Sequence, residues 1–160
     1  MTVKPDSKKP SPEAELRSYM KRFGPKEQKL FRSVRAAVRK RFPTANELAY
    51  DYSSHVVISY SSTDRAIDAV VAIASRVDGL RLYFMNGPRL PDPNKLLLGS
   101  GKQTRFVWLE SASKLAHPDV KALIAATIDL APVPLPSKGK GKLIIKSDAA
   151  KKRPSRKPAK

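Results

Sequence analysis

The residues best suited to chemistry form a glycine-rich run, GSGK at 99–102, followed by Arg105. Closely spaced glycines allow backbone N–H groups to converge on an anion, and Lys102 and Arg105 would add positive charge. We therefore interpret Gly99, Gly101, Lys102 and Arg105 as a candidate anion site. The run is not a Walker loop, because Gln103 stands where that motif needs Ser or Thr, and a strand rather than a helix follows. The alternative interpretation is a tight turn before a central strand.

A second candidate is a set of cations on the second predicted helix: Lys29, Arg32, Arg35 and Arg39. Their spacing places them opposite the apolar stripe of that helix. One interpretation is a surface that contacts nucleic-acid phosphates, and the other is a solvated face that keeps the protein soluble.

Positive charge is concentrated at the C-terminal end of the chain. The net charge is +18, and residues 138–160 carry ten Lys or Arg against a single acid, Asp148, which gives +9. The densest part of this segment contains Lys151, Lys152, Arg153, Arg156 and Lys157. Such segments bind polyanions by releasing counterions, so the sequence predicts DNA or RNA as a partner, bound without sequence specificity.

Patterns that would indicate catalysis or metal binding are sparse. The chain has no cysteine and two histidines, His55 and His117, and neither falls in a spacing that assembles a ligand cluster. Asp64 and Asp68 are four residues apart, but no pocket for an acid–base pair is evident from the pattern. The sequence therefore predicts no catalytic residue, no metal site and no cofactor.

Two aromatic residues, Phe106 and Trp108, alternate on the last predicted strand, as they do in RNA-binding sheets. Val107 and Leu109 flank them. This apolar run is typical of a strand covered on both faces, so we interpret the aromatics as part of the core.

Three segments have the spacing of amphipathic helices. The first begins at Pro12 with Ser11 as N-cap and stops at Gly24-Pro25; the second runs over 26–42, and the third starts around Pro118. Alternation and β-branched composition predict strands over 46–52, 55–60, 69–75, 80–86 and 104–110, with an Asp-Gly hairpin turn at 76–79.

Short connections between these strands predict a mainly antiparallel five-stranded sheet with helices on one face, which is an α+β fold. Residues 1–11 are expected to form a disordered leader, 12–131 the domain, and 132–160 a disordered basic tail. No segment has the apolar length of a secretory signal or a membrane span, and a cytoplasmic location is expected.

Several short runs resemble the YdhG-like family of bacterial domains. They lie at 27–43 (EQKLFRSVRAAVRKRFP), 82–87 (LYFMNG), 90–93 (LPDP) and 97–106 (LLGSGKQTRF), followed by the His117-Pro118 step. The resemblance covers residues 13–131 and implies a compact α+β domain without an assigned reaction. One branch of the family is similar to frataxin and implies an intracellular iron chaperone.

The acids of this chain do not favour that iron function. Hard iron binding needs clustered carboxylates, and the first two helices carry only Glu13, Glu15 and Glu27 among many bases. Three hypotheses follow: a binding module tethered to DNA or RNA by its tail, a small-anion-binding domain that uses the 87–105 loop region, and, disfavoured by charge, the iron chaperone.

Overall fold

The helices begin where short-range signals place them. In the computed structural model, which describes residues 10–146, α1 spans Pro12–Met20, α2 Pro25–Arg41 and α3 Pro118–Asp129. Ser11 caps α1, since its Oγ accepts a hydrogen bond from the Ala14 N–H at 3.1 Å, as predicted. Each helix has proline in its first turn, where the missing N–H costs nothing. The expected leader and tail lie outside the described residues, except for residues 10–11 and 132–146.

The sheet has six strands in the described part of the chain: β1 Asn46–Asp51, β2 His55–Ser61, β3 Ala69–Arg76, β4 Gly79–Phe84, β5 Arg105–Trp108 and β6 Leu143–Ile145. Their order is β5-β4-β3-β2-β1-β6. All neighbours are antiparallel except β6, which runs parallel to β1. The α+β class is confirmed, and so is the hairpin turn between β3 and β4, where Gly79 has a φ of 137°.

The sixth strand corrects the expected count of five and the expectation that residues 143–146 belong to a disordered tail. Three residues are too few for a core of their own, but the edge of β1 offers unpaired backbone groups. Glu47 N–H donates to the Lys142 carbonyl at 2.8 Å, and Lys146 N–H donates to the Ala49 carbonyl at 2.7 Å. Gly141 passes so close to the backbone of Ala45 that a methyl group would overlap it.

The position of β5 is also different from the expectation. The apolar run around Val107 predicted a central strand, but β5 lies at the opposite edge of the sheet from β6 and pairs only with β4 over its full length. A short bridge from Leu98 to Phe106 covers part of its outer side, with N···O distances of 2.8 and 3.0 Å. β5 is therefore an edge strand and not a central one.

Helices pack on one face of the sheet, which we call the helix-covered face. One lateral row of paired residues runs across the five antiparallel strands and is buried on this face. It belongs to the same apolar cluster as buried residues of all three helices. This row consists of Ala49, Ile58, Ile73, Leu82 and Val107.

The adjacent row points to the other side, which we call the second face. It consists of Tyr50, Val57, Ala74, Arg81 and Trp108. Four of these five residues are only half-buried, and none of the five belongs to the helix-lined cluster. The strict alternation of β-strand side chains separates the two rows.

A buried carboxylate joins α1 and α2 to β1. Glu47 is 2% exposed and accepts hydrogen bonds from Arg35 Nε at 2.9 Å, Arg35 Nη2 at 2.8 Å and the Tyr60 hydroxyl at 2.7 Å. Arg35 also holds Glu13 of α1 in a bidentate pair, at 2.9 and 2.8 Å, and Arg39 lies 3.5 Å from Glu47. A buried charge is tolerated when it is paired and hydrogen-bonded in this way.

We expect β6 to contribute measurably to stability. A chain that ends at Lys142 loses the backbone bonds that residues 143–146 make to β1 and the packing of Leu143 and Ile145, whereas a chain that ends at Lys146 keeps both. The shorter chain should have a free energy of unfolding lower by about 2–4 kcal/mol. Urea denaturation of the two truncated proteins measures this difference, and equal stabilities would contradict the assignment of β6.

The bond from Tyr60 to Glu47 should make stability depend on alkaline pH. Burial raises the pKa of the Tyr60 hydroxyl well above its usual range, and the Glu47 carboxylate raises it further. Because the folded state holds the neutral phenol, this stabilisation is complete below the unfolded pKa of about 10 and declines as pH rises above it.

The variant Tyr60→Phe should be less stable than the parent by about 1–3 kcal/mol at pH 7, because Glu47 loses a donor. Its stability should then fall less steeply than that of the parent above pH 10. Urea denaturation at pH 7 and pH 11 tests both points. Parallel losses of stability in the two proteins would show that Tyr60 does not ionise on unfolding.

Candidate functional site

Three aromatic rings and one guanidinium group form a cluster on the second face, at the β4–β5 edge. We call this cluster of Arg81, Tyr83, Phe106 and Trp108 the aromatic patch. The register of β4 and β5 brings these residues together, because Arg81 pairs with Trp108 and Tyr83 pairs with Phe106. All four side chains therefore point to the same side of the sheet. All four are half-buried, which leaves part of each ring accessible.

The rings of the patch are held by each other and by Arg81. The ring centroids of Tyr83 and Phe106 are 5.4 Å apart, and those of Phe106 and Trp108 are 5.4 Å apart in an edge-on arrangement. The guanidinium carbon of Arg81 lies 4.2 Å from the Phe106 centroid and 4.9 Å from that of Trp108. These cation–π contacts fix the rings before any ligand arrives.

Arg81 is oriented by two polar groups. It donates to the Tyr83 hydroxyl at 2.9 Å and to Asp78 at 3.2 Å. Trp108 rests against Gly79, where a Cβ atom would lie 3.0 Å from the indole ring. The β3–β4 turn therefore positions both the cation and the largest ring.

A second aromatic group lies at the far side of the same face. Tyr50 and Tyr52 stack at a centroid distance of 5.8 Å, and Tyr52 and His55 stack at 5.0 Å. Arg22 pairs with Asp51 and donates to the Tyr52 carbonyl at 2.7 Å, which ties this group to the end of α1. Four strand spacings, about 19 Å, separate Tyr50 from Trp108.

Guanidinium groups near the second face act on the His55 imidazole. Burial lowers the pKa of the His55 imidazole below its usual value, and the guanidinium groups of Arg76, Arg22 and Arg81 lower it further. Asp78 lies 3.2 Å from Arg81 and 3.8 Å from Arg76, so it offsets only part of this charge. The face combines flat apolar surface with cationic groups.

The four predicted residues of the glycine-rich loop have different surroundings, and the Cβ position of Gly99 lies 3.9 Å from Arg105 Cδ. Lys102 lines a cleft of about 380 Å³ together with Arg89, whereas Gly99, Gly101 and Arg105 do not line it. Gly99 has a φ of 100°, which matches the turn interpretation. The Nε atom of Arg105 is buried without a hydrogen-bond partner in the structure. Anion binding by this loop stays a prediction.

The cations of α2 divide into two pairs. Lys29 and Arg32 are exposed, as predicted. The placement of Arg35 on a solvent-facing stripe is wrong, because its side chain is 14% exposed and pairs with the two carboxylates described above. Arg39 is 41% exposed and lies near the same carboxylates. Arg35 is therefore not a free contact for phosphate, and phosphate binding by Lys29, Arg32 and Arg39 stays a prediction.

The basic C-terminal segment is described only as far as Lys146, with Lys138, Lys140 and Lys142 exposed. The predicted contacts Lys151, Lys152, Arg153, Arg156 and Lys157 lie outside the described residues.

Residues 10–146 contain neither a cluster of metal-ligating side chains nor a membrane-spanning helix. Within that range, no three His, Asp or Glu side chains are grouped to hold a metal ion. Within it, too, no helix combines the length and apolar character needed to cross a membrane.

The accessible position of Phe106 and Trp108 was missed from sequence, since both were assigned to the core. The signal that could have found it is alternation: Arg81 and Tyr83 are polar or amphipathic at every second position of β4. A partner strand in register must present its own second-face residues beside them.

Comparison with protein-family models, with curated proteins and with solved structures found no match. The resemblance to YdhG-like domains therefore stays a prediction.

Proposed function

We propose that this protein is a binding module for single-stranded nucleic acid, with bases stacked on the second face of the sheet. The observation that carries the proposal is the aromatic patch, in which three accessible rings surround the Arg81 guanidinium group. Stacking on aromatic and guanidinium planes is how sheets recognise unpaired bases.

The chemistry of the patch favours a single strand over a duplex. In a duplex, base faces are already stacked on one another, and proteins contact phosphates and groove edges instead. The aromatic rings have no charge with which to bind phosphates, but they can stack on the exposed π-faces of unpaired bases. Arg76 and Arg81, on the same face, supply positive charge beside the rings for the strand that carries those bases.

The basic C-terminal segment has a different role in this proposal. Its ten cations give sequence-independent attraction to phosphate, and the exposed Lys138, Lys140 and Lys142 begin this segment next to β6. Counterion release makes such binding strongly dependent on salt. The tail would raise affinity for any nucleic acid, and the patch would select unpaired bases.

We expect Trp108 to report binding directly, because it is the sole tryptophan in the chain. Its fluorescence should be quenched by a 15-nucleotide oligouridylate and not by a duplex of equal length. Trp108→Ala should weaken oligouridylate binding about 5- to 150-fold, the equivalent of one stacked base. Fluorescence anisotropy of the labelled strand measures this loss.

Three controls separate the patch from the tail and from misfolding. Trp108→Leu keeps apolar volume but removes the indole, and its melting temperature checks folding. Lys26→Gln removes an exposed cation from the start of α2, away from the patch, and should have little effect. A chain ending at Lys146 should lose affinity for both strand types and show a weaker dependence on salt. Unchanged single-strand affinity in Trp108→Ala would contradict the proposal.

His55 should titrate below its usual range and respond to charge on the second face. Arg76→Gln should raise the pKa of His55, because it removes a neighbouring positive charge, while burial still lowers it. Bound oligouridylate should raise this pKa as well, since phosphate favours the imidazolium form. NMR titration of the His55 ring protons measures each shift. A His55 pKa that is unchanged both in Arg76→Gln and in the presence of oligouridylate would show that the second face is not cationic.

A further inference from the structure

A cavity of about 530 Å³ lies on the helix-covered face, far from the aromatic patch. It opens between α2, α3 and the short 3₁₀ helix Ala112–Ala116. The side chain of Leu82 on β4, which is 1% exposed, is the lining residue contributed by the sheet. Pockets of 300–1,000 Å³ with apolar walls are typical sites for small molecules.

The cavity exists because small side chains line it where larger ones would close it. Ala37 faces it from α2, and Ala112 and Ala116 face it from the 3₁₀ helix. The space between these alanines, beside the apolar side chains of Val38 and Ile124, is not filled by other protein atoms. Protein interiors are normally close-packed, and an apolar void forfeits dispersion contacts that a hydrocarbon or aryl group would restore.

Three cations line the same cavity: Lys40 and Arg41 from α2, and Lys121 from α3. No ion pair of the described residues uses any of the three. Lys40 and Arg41 lie in the last turn of α2, where positive charge is favourable to the helix dipole.

Lys121 has no such explanation. It lies in the first turn of α3, where the N-terminal end of the helix dipole disfavours a cation. An anion at the cavity mouth would compensate both Lys121 and the helix end. The cavity has apolar walls, and the three cations that line it form no ion pair within the described residues. This combination is complementary to a molecule with an apolar body and an anionic head.

We infer that this cavity binds a small amphipathic carboxylate, with its alkyl or aryl body against Leu82 and its carboxylate between Lys40, Arg41 and Lys121. This site is independent of the proposed nucleic-acid function, because the sheet separates it from the aromatic patch.

The test uses the full chain and isothermal titration calorimetry with decanoate, 1-naphthoate, decanol and decyltrimethylammonium below micellar concentrations. Decanoate or 1-naphthoate should bind at one saturable site, decanol at least tenfold more weakly, and the cationic probe not at all. Trp108→Ala should bind the carboxylate as the parent does, which keeps this result separate from the nucleic-acid proposal.

Matched variants locate the site. Ala116→Leu places extra volume in the cavity from an exposed position that tolerates it, and should weaken carboxylate binding at least tenfold. Lys121→Gln should weaken carboxylate binding about fivefold or more and leave decanol binding unchanged. Lys29→Gln, which removes an exposed cation from α2 outside the cavity, should have no effect.

Three results would overturn the inference. The first is the absence of saturable binding for both carboxylates up to millimolar concentration. The second is carboxylate binding that Ala116→Leu leaves unchanged, and the third is binding that Lys29→Gln weakens as much as Lys121→Gln does. Either of the last two would indicate general attraction of anions to a basic surface.

Discussion

Helices cover one face of this sheet only, and both candidate sites depend on that constraint. The row from Ala49 to Val107 is buried under the three helices, and the row from Tyr50 to Trp108 points away from them. The network around Glu47 enforces this arrangement, because the buried carboxylate is satisfied only when Arg35 of α2 and the hydroxyl of Tyr60 lie above β1. Helices placed on the other face would leave that charge unpaired.

The second face of the sheet is not a generic polar surface. Its largest side chains are aromatic, and Arg81 lies between the rings of Phe106 and Trp108, anchored by Asp78 and the Tyr83 hydroxyl. Rings that are already fixed lose little conformational entropy when a base stacks on them, which favours affinity. The amphipathic cavity, on the opposite side, arises from alanines at the contacts between helices rather than from the sheet.

Local signals in the sequence were sufficient for the three helices, for five of the six strands and for the class of fold. Ser11-Pro12 and the Asp-Gly turn at 78–79 act over a few residues, so they predict a helix start and a hairpin without knowledge of the tertiary structure. The apolar stripe of α2 likewise predicted a buried face, which Phe31, Val34 and Val38 form in the structure.

What the sequence did not reveal depends on long-range pairing. β6 is a three-residue run that becomes a strand only because the edge of β1 is free. The accessible rings of Phe106 and Trp108 depend on β5 being an edge strand, and a buried partner for Arg35 depends on Glu47 facing inward from a strand twelve residues away. In each case the deciding neighbour is set by register and strand order, which composition and periodicity do not specify.

The central claim is that unpaired bases lie on the second face of the sheet, and NMR mapping of a bound oligonucleotide tests it most directly. With oligouridylate added to the full chain, the side-chain resonances of Tyr83, Phe106 and Trp108 should shift and show contacts to base protons. Shifts confined to residues 138–160 and to the exposed cations of α2, with the aromatic signals unmoved, would contradict the account.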